Sequence, residues 1–129
     1  MQANDPIATI RAFIAAWNRR DRAALARMLH PDAVCEGVCL PPPGRNREES
    51  LNLFDPFLAA DELDWRILNI AASGRSVFTE RLDRFRYKDM PWTEIRACGY
   101  FELDDQGRIT AWRDYFDRAE CLAAMPAAS

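Results

Sequence analysis

The chain has 129 residues, 49% of them hydrophobic and 29% charged, with a formal net charge of −3. That length and balance fit one globular domain over residues 1–129 and exclude a disordered chain. The acidic excess and interspersed arginines argue against a nucleic-acid partner, and no apolar run approaches the roughly eighteen residues of a membrane span.

The opening stretch "MQANDPIATIRAF" carries an acid and an arginine where a secretory leader would carry basic residues and then an unbroken apolar run. A cytoplasmic location is therefore expected. Asp5 followed by Pro6 is a helix start, an acidic N-cap with proline at the first helical position. Ile7, Ile10, Ile14 and Trp17 follow at helical spacing, and Phe13 and Trp17 read as packing residues. Asp21 caps a second short helix with Leu25, Met28 and Leu29 on its buried side, ended by "HPD". His30 reads as a turn residue after that helix.

"AVCEGVCL" reads as a short strand stopped by "PPPGR", and a third helix is expected from about Arg47 to Leu58, kinked or restarted at Pro56. Cys35 and Cys39 form a C-x-x-x-C pair, but with His30 the single histidine the spacing does not make a metal site, and four free thiols are the plainer reading. From Leu63 the pattern turns to β. Four runs are separated by turn signals at Ser73-Gly74, Lys88 to Pro91 and Asp104 to Gly107, which predicts an antiparallel meander. "RAECLAAM" closes the chain as a helical turn or two. Helices followed by such a sheet make an α+β domain, with a concave sheet face able to hold a pocket.

Two of these strands carry unusual charge. In "TERLDRF" the period of two puts Val77, Thr79, Arg81, Asp83 and Phe85 on one face. In "AWRDYFD" it puts Trp112, Asp114 and Phe116 on one face. An inward Asp114 needs a donor, and Arg81 is the obvious one. Two carboxylates bridged by one guanidinium can hold different protonation states and do general acid/base work. A solvated cross-strand salt-bridge face accounts for the same pattern.

"FTERLDRF" and "CGYFELDDQGRITAWRDYFD", with "LPPPGR" upstream, resemble the limonene-1,2-epoxide hydrolase family, within the nuclear transport factor 2-like (NTF2-like) and SnoaL-like superfamily. The resemblance implies a cone-shaped α+β fold, a curved antiparallel or mixed sheet wrapped by N-terminal helices around a central pocket. It places the family's Asp–Arg–Asp triad on Asp83, Arg81 and Asp114. Asp114 would be the base on a water, Asp83 the acid toward the epoxide oxygen, and Arg81 the bridge. It implies a small hydrophobic substrate, no metal or cofactor, and a homodimer joined through the open sheet face. Val77, Phe85, Trp112, Phe116, Cys35 and Gly37 are the candidate pocket positions.

The family's water-positioning tyrosine and asparagine fall on Cys35 and Gly37, a weak hydrogen-bond partner and a residue with no side chain. Related folds also support isomerases and cyclases with a carboxylate base, and binding modules without turnover. Both remain alternatives at this level.

Overall fold

Asp5 accepts hydrogen bonds from the backbone N–H groups of Ile7 and Ala8 and starts α1, Pro6–Asn18. A cap of this kind contributes about 1 kcal/mol. The computed structural model describes residues 5–125, so the first four residues of the stretch read against a leader lie outside the described residues. The apolar stripe on α1 buries Ile10, Ile14 and Trp17, together with Phe13. Asp21 caps α2, Arg22–Met28, by accepting from Ala24 N–H at 3.0 Å.

The chain then departs from two expectations. Leu29 is the C-cap of α2 and not a residue of its buried face, and "HPD" is not a turn after the helix; all four residues already belong to β1, Leu29–Gly37. The reason is tertiary: Leu29 and Ala33 are fully buried in the core, and Leu29 lies opposite Ile109 in a parallel pairing. His30 keeps only a local contact, accepting from Asp32 N–H at 3.0 Å. The prolines of "LPPPG" also do not stop the sheet, because they form β2, Leu40–Gly44. β2 is the outermost strand and pairs on one side only, so a missing N–H costs it no ladder bond on the other.

Asn46 caps α3, Arg47–Leu58, through Glu49 N–H at 2.9 Å. α3 does not restart at Pro56 but runs through it as one helix and ends two residues beyond. β3 (Glu62–Ser73), β4 (Ser76–Arg86), β5 (Thr93–Leu103) and β6 (Ile109–Phe116) form the expected antiparallel meander. β6 then pairs in parallel with β1, giving a mixed six-stranded sheet in the order β2-β1-β6-β5-β4-β3. Register breaks between Ile67 and Asn69, Cys35 and Gly37, and Glu102 and Leu103 accompany its curvature. α4, Arg118–Ala124, packs on β5.

α1 and α3 cover the inner sheet face through contacts with β3 and β1, enclosing one aromatic-rich core. On that face β4 buries Val77, Thr79, Arg81, Asp83 and Phe85, the alternation read from sequence. Its outward residues pair at the surface: Glu80 accepts from Asn69, and Arg84 bridges Asp64. Among the described residues no helix is long and apolar enough to cross a membrane.

Candidate active site

Three neighbouring strands build the polar centre. β4 supplies Thr79, Arg81 and Asp83, β6 supplies Trp112 and Asp114, and β5, between them, supplies Gly99 opposite both Thr79 and Asp114. Arg81 donates to Asp83 through Nε at 3.0 Å to Oδ1 and Nη2 at 2.8 Å to Oδ2. Its other edge meets Asp114, Nη1 at 3.1 Å to Oδ1 and Nη2 at 2.6 Å to Oδ2. Nη1 also donates to Thr79 Oγ1 at 3.1 Å. The Arg81 side chain is completely enclosed, while Asp83 and Asp114 retain 9% and 14% of their exposure. Trp112 Nε1–H adds a donor to Asp114 Oδ1 at 2.7 Å.

The rings of Trp65 and Trp112 lie 5.3 and 5.8 Å from the Arg81 guanidinium carbon. They supply the apolar, cation-tolerant surface that a buried planar guanidinium favours. Burial works against Arg81's charge, yet the two carboxylates outweigh it and raise its pKa above the ordinary value. Burial also raises Asp83's carboxyl above its usual range, although Arg81 pulls the other way. One cation facing two enclosed carboxylates therefore favours keeping a proton on Asp83.

Gly99 makes this packing possible. A Cβ there would fall 2.5 Å from Arg81 Nη1 and 2.6 Å from Asp114 Oδ1. Its signal in the sequence was a glycine inside a strand, the mark of a close approach. Thr79 was legible only as a member of the inward face, and Trp65 gave no sign of its place over the arginine.

The two carboxylates open onto a cavity of about 150 Å³ walled by Trp17, Phe54, Trp65, Ile95, Trp112 and Phe116. Cys35 and Gly37 line it as well. Arg81 does not, because it lies behind the carboxylates. Val77 and Phe85, expected as pocket walls, are core residues instead. Val77 stands four residues from Arg81, roughly 13 Å along an extended strand, and Phe85 packs in a second cluster with Ala60, Ile95 and Cys121. Trp17 goes the other way: expected to be packing, it is part of the cavity wall. Phe13 does serve the core, edge-on to Phe101 and Trp112. None of the three tyrosines reaches the cavity. Tyr87 donates to the Pro56 carbonyl, Tyr100 to Glu102, and Tyr115 is exposed.

The positions of β1 behave as their residue types dictate. Burial, joined by the charge of Asp114, pushes the Cys35 thiol up to about 12 against a weaker opposing bond to Ser50. It is therefore a neutral wall group and not a nucleophile. Gly37 lies opposite Asp114 in the parallel pairing, and a Cβ there would stand 2.9 Å from Phe116 Cζ. The missing side chain is the space that the Phe116 ring needs. Cys39 donates to the Phe116 carbonyl, so the two cysteines of "CEGVC" serve separate partners.

Comparison with known proteins agrees with this geometry. The family described as limonene-1,2-epoxide hydrolase catalytic domain matches residues 4–127. Epoxide hydrolase EphG of Mycobacterium tuberculosis is 33% identical over 108 residues, covering 84% of this chain and 70% of EphG. A solved structure of an LEH-like epoxide hydrolase from M. tuberculosis superposes with a TM-score of 0.79 at 31% identity, over 93% of this chain and 88% of the other. A putative SnoaL-like polyketide cyclase from Shewanella putrefaciens shares the fold, with a TM-score of 0.79 at 15% identity over 92% of this chain and 94% of its own.

Proposed function

The chain belongs to the limonene-1,2-epoxide hydrolase family, whose reaction class is epoxide hydrolysis, and from that premise we propose that it converts a small lipophilic epoxide to a vicinal diol in one general acid/base step. The observation that carries this reading is a pair of enclosed carboxylates bridged by one arginine at the wall of an apolar cavity.

Asp114 is the base. Its Oδ1 already accepts from Arg81 and Trp112, whereas Oδ2 accepts from Arg81 alone. Oδ2 therefore has the free lone pair for a water proton. As that proton leaves, the water oxygen forms a bond to an epoxide carbon and the strained C–O bond breaks. The electron pair goes to the former epoxide oxygen, which takes the proton held on Asp83. Water and epoxide are then fully accounted for in the diol, and a proton passing from Asp114 back to Asp83 resets the pair. Burial supports Asp83 in the acid role by raising its proton affinity. A cavity of about 150 Å³ holds a ring near the size of benzene, with larger substituents directed to the mouth.

Residues 1–129 form one domain in this reading, and the working unit is a homodimer joined through the outer sheet face. Leu68, Phe78 and Tyr115 support that contact, since they stand 55%, 48% and 50% exposed on the sheet strands.

The decisive experiment is incubation with cyclohexene oxide and styrene oxide in ¹⁸O-labelled water, beside Asp83→Asn and Asp114→Asn. Diol carrying one label, lost in both variants by at least a thousandfold, is expected. Absence of turnover on every epoxide, with apolar ketones still bound, would instead mark a carbon-acid isomerase or a binding module.

A further inference from the structure

Arg81 carries five N–H donors on a rigid planar fork, and its side chain is completely enclosed. Each of the five meets an acceptor. Nε donates to Asp83 Oδ1 at 3.0 Å, and Nη2 divides its pair between Asp83 Oδ2 at 2.8 Å and Asp114 Oδ2 at 2.6 Å. Nη1 divides its pair between Asp114 Oδ1 and Thr79 Oγ1, both at 3.1 Å. Four of these acceptors are carboxylate oxygens of the proposed reaction. The fifth is a hydroxyl that takes no proton in it.

Thr79 is 4% exposed on the inner face of β4, where valine would fit as well. The two side chains differ in shape very little, so what threonine adds is the hydroxyl, and a buried hydroxyl needs a partner. That partner is Arg81. Thr79 and Asp83 stand two residues before and two residues after Arg81 on one face of the strand, so they grip its guanidinium from opposite sides. A β-branched side chain has few χ1 positions, which makes the Thr79 hydroxyl a stiff stop. Gly99 also leaves it room, because a Cβ there would lie 3.0 Å from Thr79 Oγ1.

The contact falls on the nitrogen that serves Asp114 and not Asp83. Without the hydroxyl, Nη1 would keep Asp114 Oδ1 and hold one enclosed N–H with no acceptor, a costly arrangement. The fork would turn to pair that hydrogen. Asp114 Oδ1 is bonded to the same nitrogen, so the turn would be felt first at the base.

We propose that Thr79 is a positioning residue for epoxide opening: its hydroxyl fixes the Nη1 end of Arg81, and through it the orientation from which Asp114 takes the water proton. The role rests on the epoxide hydrolase reading.

The test measures kcat and KM with cyclohexene oxide for the wild type, Thr79→Val, Thr79→Ser and Thr79→Ala, well below each melting temperature. Valine keeps the shape and loses the oxygen, serine keeps the oxygen and loses the methyl, and alanine loses both. In Thr79→Val and Thr79→Ala, kcat should fall about tenfold with KM changed less than about twofold, and Thr79→Ser should stay within about threefold of wild type. A packing role predicts the reverse, with valine like wild type and serine as impaired as alanine. That result, or equal kcat in all four proteins, would overturn the proposal. Should Thr79→Val fail to fold, the serine and alanine variants still decide, since they differ by the oxygen alone.

A second readout needs no turnover. With ¹⁵N-arginine, the two Nη1 hydrogens of Arg81, assigned by their loss in Arg81→Lys, should give separate resonances in the wild type and Thr79→Ser. In Thr79→Val they should broaden or merge as rotation about the Cζ–Nη1 bond is freed. Unchanged resonances in Thr79→Val would refute the hold on Arg81. A wild type that hydrolyses epoxide beside equally active variants would sink the positioning role and leave the hydrolase reading intact. A wild type inert on every epoxide would sink the hydrolase reading, and the kinetic role with it, whatever the resonances show.

Discussion

Gly99→Ala is the sharpest perturbation of the triad that substitutes none of its three residues. The new methyl carbon would lie 2.5 Å from Arg81 Nη1, 2.6 Å from Asp114 Oδ1 and 3.0 Å from Thr79 Oγ1. Ordinary contact begins near 3.4 Å, so the first two atoms must each retreat by about 0.8–0.9 Å. They are partners in one hydrogen bond of 3.1 Å, and the enclosed guanidinium has little room to retreat. A displacement of about 1 Å at a reacting group costs on the order of a hundredfold in rate. Overpacking costs about 1–3 kcal/mol, and the stiffer unfolded chain of alanine offsets about 0.5–1 kcal/mol of that. The expected result is a fall of about a hundredfold in kcat with cyclohexene oxide and a Tm lower by about 3–8 °C. A variant with kcat within threefold of wild type and an unchanged melting curve would refute the claim that this glycine cradles the triad.

Gly37→Ala should behave differently, because its new Cβ meets the end of the half-buried Phe116 ring, which can turn aside. KM for a bulky epoxide should rise severalfold with kcat nearly unchanged, as initial rates on small and large substrates will show. Arg81→Lys replaces a planar fork holding two carboxylates with a point charge, and kcat should fall at least a hundredfold while circular dichroism still reports a fold. Asp83 gives a pH signature: its folded carboxyl titrates above the ordinary range because it is buried, so the folded chain keeps a proton that the unfolded chain releases near pH 4. The associated stability is complete below about pH 4 and is lost as the pH climbs through the raised value. Wild-type denaturation midpoints should therefore fall relative to those of Asp83→Asn above about pH 4. A constant difference between the two across pH 4–8 would count against a raised Asp83.

Where a local rule and the tertiary context agreed, the residues could be read directly. The Asp5-Pro6 start, the Arg47–Leu58 helix and the inward face of β4 belong to this class. The meeting of Arg81, Asp83 and Asp114 was legible through the family resemblance, since the alternation alone also fits a solvated salt-bridge face and β5 separates the two strands. The misreadings share one cause. Leu29 and "PPPG" carry strong local signals for a helix face and a stop, yet their state is decided by which strand lies beside them. The parallel pairing of β1 with β6 joins segments about seventy residues apart and leaves no local mark in either of which strand lies beside it. Gly99 and the Trp17–Trp65 stack likewise depend on what three or four elements bring to one place.

The asymmetry between the two aspartates is finally a matter of surroundings and not of residue type. Both accept two bonds from the same guanidinium, so Arg81 alone cannot tell them apart. With one cation and two carboxylates, full ionisation would leave a net negative charge in a site walled by aromatic rings, which is costly. A proton relieves that cost, and it belongs on the carboxyl with fewer other donors and less solvent. Among the described residues Asp83 has no side-chain donor beyond Arg81, and it is the more enclosed of the two, whereas Asp114 also receives the Trp112 N–H. Trp112 thus does more than wall the cavity. Its N–H is the contact that distinguishes the surroundings of Asp114 from those of Asp83, on which the proposed division of roles rests.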